Sequence, residues 1–337
     1  MATGACILRV MAMTLVKPHV SAERKRPPSR IVVFGAGGRL GGPLAGFINR
    51  YASDVRLRLV TSRPEQQQAL QEKFPKAQIA VANYLDAVSM QRALAGAGGV
   101  FLVTPNFLDE QAAMEIFARA VREAGDIVHI IRILGDPPGM TLERIPPDLR
   151  GIGTATQHLI AKRTLDAANL PITYINIAAF MLDNFLGIGQ PIRQARTLIA
   201  PFDRMMAFVD PRDVAEVAAR ILLSPNHRHI GQYYHIDNGH DLMRFSAVAE
   251  VMSEVLGVEI THDGTPETFV TVLGPRYNQR MGNAHAAEYF ARYFEFEYEN
   301  ETVWRRTDFA ETILGRKPVT LRAWLEEHRA SLMPAST

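Results

Sequence analysis

The chain has 337 residues, 47% apolar and 21% charged, with a formal net charge of +2. That length supports a large core in one extended domain or two lobes, and the balance is that of a soluble globular protein. So small a net charge speaks against general affinity for nucleic acid, and no apolar run nears the roughly 20 residues of a membrane span. Cys6 is the only cysteine, which excludes an internal disulfide or thiolate metal cage and suits a reducing, cytoplasmic setting.

The basic excess sits at the start, where residues 1–30 hold Arg9, Lys17, Arg24, Lys25, Arg26 and Arg30 against Glu23. Residues 1–29 are expected to form a disordered or weakly ordered tail, ended by Pro27-Pro28-Ser29. A weak targeting peptide is the other reading. Next, Ile31-Val32-Val33-Phe34 runs into Gly35-Ala36-Gly37-Gly38-Arg39-Leu40-Gly41-Gly42. Four apolar, mostly β-branched residues meeting glycines predict a buried parallel strand and a tight turn. Leu40, Leu44, Phe47 and Ile48 then recur at helical spacing, with Pro43 near the helix start. A strand, a glycine turn and a helix N-terminus together make a phosphate site, because free N–H groups and a partial positive charge face the ligand. Gly35, Gly38 and Gly41 give G-x-x-G-x-x-G, and Leu40 holds the third glycine position of the commoner G-x-G-x-x-G. Position after a strand near the start of a long α/β chain favours nucleotide binding over an ordinary turn.

Further strands are predicted at Val55–Val60, Gln78–Val81, Gly99–Pro105, Ile127–Leu134, Pro171–Ile177 and Tyr233–Ile236. Helices alternate with them. One runs from Glu65 to Phe74; Asp86 caps another, bearing Val88, Met90 and Leu94; Met114, Phe117, Ala118 and Val121 mark a third, closed by Gly125. Residues 135–153 read as a Pro/Gly-rich loop before a helix from about Ala155 to Asn169. Asp210 and Asp213 open a helix whose Val214, Val217, Ala218, Ile221 and Leu222 share a face. Ser246 is expected to cap a helix ended by Gly257, and Thr320 to cap the last one, with Leu321, Trp324 and Leu325 inward. Residues 179–204 lack one clear period and are expected to bear on substrate. The alternation predicts an α/β fold, a Rossmann-type doubly wound parallel sheet with a smaller C-terminal substrate lobe. Residues 30–178 form the dinucleotide-binding lobe, and 179–337 mainly the substrate lobe, with some segments returning.

The end of the second strand normally selects the nicotinamide cofactor: an acid there bonds the ribose 2′-hydroxyl. Thr61-Ser62-Arg63 stands in that place, and a guanidinium with two hydroxyls suits a 2′-phosphate. Arg39 offers a second guanidinium, so NADP(H) is favoured over NAD(H). Asn83, after the third strand, is a further cofactor-side candidate. His158 and Lys162 lie four apart on one helix face. On spacing alone they read as an exposed pair. His227-Arg228-His229 reads as an exposed loop rather than a metal site, and no metal is expected.

Five segments together resemble the NmrA-like group of atypical short-chain dehydrogenase/reductases. These are Val32 to Gly41, Thr61-Ser62-Arg63, Val100 to Pro105, His158 to Asn184, and Phe208 to Ala215. The resemblance implies that Gly35, Gly38 and Gly41 hold the pyrophosphate, with Arg39 and Arg63 on the 2′-phosphate; Gly37 and Leu40 of the same turn are further cofactor-binding candidates. It implies further that Thr104 and Pro105 border the cofactor and that Lys162 positions the ribose; a histidine ordinarily titrates near neutral pH, so His158 is the candidate proton donor. Phe180 and Asn184 would line the nicotinamide or substrate side. The group's Y-x-x-x-K is here His158…Lys162, and Ile133-Leu134-Gly135 lacks its usual serine. Both departures weaken carbonyl reduction and suit a quinone, iminium or enone acceptor. The resemblance thus implies an NADPH-dependent reductase of a small electrophile. A non-catalytic NADP-sensing regulator is the rival, and an isomerase or cyclase in the same pocket the third option. The expected partner is a small molecule rather than nucleic acid or membrane, with monomer and homodimer both open.

Overall fold

The computed structural model describes residues 24–300, 302 and 305–334. In chain order the first half runs β1 (Arg30–Phe34), α1 (Gly41–Tyr51), β2 (Arg56–Thr61), α2 (Gln67–Lys73), β3 (Gln78–Val81), α3 (Ala87–Leu94), β4 (Gly99–Leu102), α4 (Glu110–Ala124), β5 (His129–Leu134), α5 (Thr154–Ala167) and β6 (Ile172–Asn176). The second half adds β7 (Phe180–Met181), α6 (Asn184–Gly187), α7 (Gly189–Ala195), β8 (Thr197–Ile199), β9 (Met205–Val209), α8 (Pro211–Leu223), β10 (Tyr233–His235), β11 (Leu242–Arg244), α9 (Phe245–Leu256), β12 (Thr261–Asp263), α10 (Pro266–Thr268), α11 (Gly274–Met281), α12 (Ala286–Glu299), α13 (Phe309–Leu314), α14 (Leu321–Glu327) and α15 (Arg329–Leu332).

Seven strands form one parallel sheet in the order β10-β6-β5-β4-β1-β2-β3. From β1 the chain winds outward to β3, then returns to place β4 on the other side of β1. That reversal opens a crevice at the carboxyl ends of β1 and β4. Both faces are covered, which explains strands of nearly continuous apolar residues. On one face α1 and α8 pack Leu44, Ile48, Val214, Val217 and Ala218 against Ile31, Val33 and Phe101. On the other, Met90, Leu94, Met114, Phe117, Ala161 and Leu165 from α3, α4 and α5 meet Val32, Phe34 and Val100. β10, α8 and α13 come from beyond residue 179 yet complete this lobe.

The remaining C-terminal segments build a second core with two small sheets, β11-β9-β7 and β12-β8. Phe185, Phe208, Phe245, Phe269 and Trp324 fill it. Arg204 and Glu297 form an ion pair inside it, and the Arg204 guanidinium lies 3.8 Å from the Phe294 ring centroid. The two lobes touch where Tyr289 of α12 accepts a hydrogen bond from Ala155 N–H at the start of α5 (2.9 Å).

The structure departs from sequence expectation at several points. Residues 24–29 are docked rather than loose: Lys25 is buried and donates from Nζ to Leu222 O (2.6 Å), and Arg24 bridges Asn226. The rest of the expected tail, residues 1–23, lies outside the described residues. Ser246 is not an N-cap. It sits inside α9, where Asp203 from a distant loop accepts from both its N–H (2.9 Å) and its hydroxyl (2.8 Å). His229 is buried rather than exposed, with Nδ1 3.1 Å from the Tyr234 hydroxyl. Val88 faces solvent, while Met90 and Leu94 are buried. Segment 179–204 shows no single period because it holds β7, α6, α7 and β8 in quick succession. Among the described residues no helix is long and apolar enough to cross a membrane.

Candidate active site

The glycine turn is built for close backbone approach. Gly35 has φ +66°, a conformation that side chains resist, and Val103 packs against it. A Cβ at Gly41 would stand 2.4 Å from the Gly35 carbonyl oxygen. Gly38 N–H bonds back to that same oxygen (2.9 Å), closing the turn. The first turn of α1 necessarily leaves N–H groups without helical partners. With no side chain between them and the crevice, those donors fit a diphosphate. Leu40 occupies the N-cap position of α1 with its apolar side chain buried.

At the end of β2 the three expected ligands divide. Thr61 is buried, and its hydroxyl donates to Gln66 Oε1 (2.7 Å) and accepts from Arg63 N–H (3.0 Å). It shapes the turn instead of presenting a free hydroxyl. Gln66 in turn lies against Gly37. Ser62 and Arg63 are exposed at the tip. Asn83 is exposed too, with Oδ1 accepting from Leu85 N–H (3.0 Å).

Arg39 does not join Arg63. Its Nη1 donates to Asp183 Oδ1 (2.8 Å) and Asn184 Oδ1 (2.6 Å), across the crevice at the start of the substrate lobe. A free guanidinium beside a carboxylate takes the nearest charge-assisted bond, so shared duty with Arg63 on a 2′-phosphate is not what the geometry presents. Burial pushes the Asp183 carboxyl up, while Arg39 and Arg280 pull it back. Asn184 is thereby tied to the glycine turn. Phe180 turns into the substrate-lobe core, its ring 4.9 Å from Phe185 and 5.5 Å from Phe245.

On α5, His158 and Lys162 point at different surroundings. Lys162 pairs with Asp166 and lies 5.1 Å from the Tyr174 ring centroid, toward the sheet edge formed by β6 and β10. His158 stands over the end of β5, with Nε2 3.1 Å from where a Gly135 Cβ would be. The histidine in the tyrosine position therefore touches the glycine in the serine position. Burial pushes His158 down to about 3, so the ring is neutral and cannot act as an imidazolium acid.

Sequence reasoning missed a buried polar group behind Gly135. Arg132, in the middle of β5, pairs with Glu110 at the start of α4 and donates from Nη2 to the Thr104 hydroxyl (2.8 Å). Gln157 donates to the same hydroxyl (3.2 Å) and to Pro105 O (2.7 Å). Thr104 and Pro105 are thus held by α5. Asn176 clamps the Asp136 backbone by two hydrogen bonds, 2.7 and 2.8 Å. The available signal was one arginine inside the apolar run Ile130-Ile131-Arg132-Ile133-Leu134, because a buried charge requires partners. Among the described residues, no group of three or more His, Cys, Asp or Glu side chains is placed to hold a metal ion.

The model of the NmrA-like family matches residues 27–325. The chain belongs to the NmrA-like family. A curated relative in Streptomyces griseus subsp. griseus, named (4-alkanoyl-5-oxo-2,5-dihydrofuran-3-yl)methyl phosphate reductase, is 30% identical over 312 residues, covering 90% of this chain and 99% of the relative. Among solved structures, the triphenylmethane reductase of Citrobacter sp., complexed with NADP(H), superposes with a TM-score of 0.71 at 18% identity, covering 88% of this chain and 99% of its own. NmrA, a negative transcriptional regulator in complex with NADP, gives 0.66 at 18% identity over 91% and 95%. For this NmrA-like chain both likenesses establish the Rossmann-type fold.

Proposed function

We propose that the protein is an NADPH-dependent reductase of a small, activated electrophile, with a conjugated carbon–carbon double bond preferred among quinone, iminium and enone acceptors. The observation that carries this is the end of β5, where Gly135 and a neutral His158 replace the serine and tyrosine of carbonyl reducers. A carbonyl acceptor requires an acid beside the nascent alkoxide. Hydride addition to a conjugated alkene spreads the new charge over an enolate, which takes its proton less demandingly. The Streptomyces relative's name points the same way: its dihydrofuranone ring carries a double bond conjugated to two carbonyl groups.

Gly35, Gly37, Gly38 and Gly41 hold the diphosphate, and Arg63, with Ser62 beside it, holds the 2′-phosphate. NADPH supplies the hydride when bound. Thr104 and Pro105, fixed by Gln157, wall the crevice near the reacting ring. The link from Arg39 to Asp183 and Asn184 ties the phosphate turn to the substrate lobe, so that binding in one is felt in the other. Lys162 sits outside that wall and contributes charge rather than contact. NADPH oxidation measured against a panel of enones, quinones and iminium dyes tests the function; turnover is expected with enones first. Tight NADPH binding without turnover of any acceptor would replace it with a cofactor-sensing regulator.

A further inference from the structure

Behind Gly135, four side chains leave buried polar atoms without a hydrogen-bond partner. They are Arg132 Nε and Nη1, Asp136 Oδ1 and Oδ2, Gln157 Oε1 and His158 Nδ1. These groups are neighbours. Arg132 and Gln157 meet on the Thr104 hydroxyl, Asp136 follows the glycine that His158 covers, and the charge of Arg132 acts on both Asp136 and His158. Each orphaned group left dry costs about 1–3 kcal/mol. Buried donors and acceptors left unpaired in one neighbourhood are groups that an enclosed water satisfies.

Asp136 is the unusual member, only 3% exposed with neither carboxyl oxygen engaged. Burial pushes its pKa up to about 7, against the pull of Arg132 and then Lys162. The charges of Arg132 of β5 and Lys162 of α5 act on it, and its own charge acts on Tyr233 of β10 and Tyr293 of α12; His158 covers the preceding Gly135, while the charge of Glu110 on α4 is taken up by Arg132. Among the described residues no other carboxylate acts on it. Burial also keeps His158 neutral, with one ring nitrogen facing inward and the other at Gly135.

We propose that Asp136 is the proton source of the reaction, passing its proton through enclosed water to His158 Nδ1 while His158 Nε2–H is given to the acceptor. The role presupposes the reductase function above. NADPH, when bound, would supply the hydride for a new C–H bond at the β-carbon of the acceptor, with the electron pair of its double bond passing to an enolate. The Asp136 O–H breaks, the imidazole exchanges tautomers, and the enolate takes the proton. Asp136 is left as a carboxylate facing Arg132, and regains a proton from solvent. Asp136 acts here as a positioning residue for the His158 proton, which goes to the enolate after hydride addition and not to an alkoxide as it forms.

The test compares wild type with Asp136→Asn, using an enone the wild type turns over at saturating NADPH, from about pH 5 to about pH 9. Wild-type turnover is expected to fall as pH rises through about 7, since the acid form is the active one. Asp136→Asn is expected to be about 100-fold slower on the acid side and to lose that fall, with NADPH affinity unchanged. An unaltered pH profile in Asp136→Asn overturns the relay alone. No wild-type turnover with any acceptor overturns both the relay and the reductase function. Should the variant not fold, infrared spectra of the unliganded wild type decide. A buried protonated carboxyl band, titrating near pH 7, is expected. Absence of such a band at about pH 6 overturns the proposal.

Discussion

Gly41→Ala is the sharpest probe of the glycine turn. The added Cβ would lie 2.4 Å from Gly35 O, 2.8 Å from Gly35 C and 3.0 Å from Ala36 Cα. All three are backbone atoms, so no side chain can swing away. Restoring ordinary contact requires α1 to retreat from β1 by about 1 Å. Leu44, Ala45 and Ile48 are wholly buried under that helix. A gap of that size forfeits a quarter to a half of each dispersion contact, or about 1–2 kcal/mol for a buried leucine or isoleucine. The expected loss is therefore about 3 kcal/mol, with the N–H cradle displaced from the diphosphate. Urea denaturation midpoints and calorimetric titration with NADPH measure the two effects. Gly46→Ala is the control: it lies in the same helix, its Cβ would meet nothing within 4 Å, and it should gain about 0.5–1 kcal/mol from helix propensity. A Gly41→Ala protein with wild-type midpoint and NADPH affinity would refute this account of the turn.

Arg63→Ala should weaken NADPH binding about 10- to 100-fold and leave NADH unchanged, because the lost bond to the 2′-phosphate is charge-assisted and worth about 1.5–3 kcal/mol; fluorescence titration with both cofactors reads it. Arg204→Met leaves Glu297 buried without its cation and should destabilise by about 3–5 kcal/mol, with most of that recovered in Arg204→Met/Glu297→Leu, as thermal or urea melts will report. His129 is fully buried against Thr173, and burial pushes it down to about 3. The unfolded chain protonates it first as pH falls, so stability present above about 6.5 is lost progressively toward pH 3, by up to about 4–5 kcal/mol. A His129→Leu protein whose stability falls as steeply with acid as wild type would contradict that origin. Lys162→Met should change stability by less than about 1 kcal/mol, since its ion pair is largely exposed; activity measured on that folded protein then separates a chemical role from a structural one.

Much of the first lobe was readable in order. β1, its glycine turn and α1 were legible because buried β-branched residues, glycines and a helical apolar period each have a local physical cause. The caps at Asp86, Asp210 and Thr320 are likewise short-range, each bonding a backbone N–H two or three residues on. Ser246 shows where local signals end: its helix is served by Asp203, 43 residues away. The glycines at 35 and 41 marked a tight turn, yet Thr61 beside them was drawn into holding its own.

The chain's own composition and periodicity determined a parallel α/β sheet, a tight glycine turn at its first crossover and an arginine at the end of the second strand. Tertiary structure alone decided that Arg39 reaches across to Asp183, that His158 covers Gly135, and that Arg132, Asp136 and Gln157 are buried with polar atoms unpaired. Period and propensity act over a few residues, whereas the pairing of buried charges depends on which strand ends the fold brings side by side. Residues 104, 132, 136 and 157 carry no common pattern in the chain. What unites them is burial, where an unpaired polar atom is expensive and its neighbours become its chemistry.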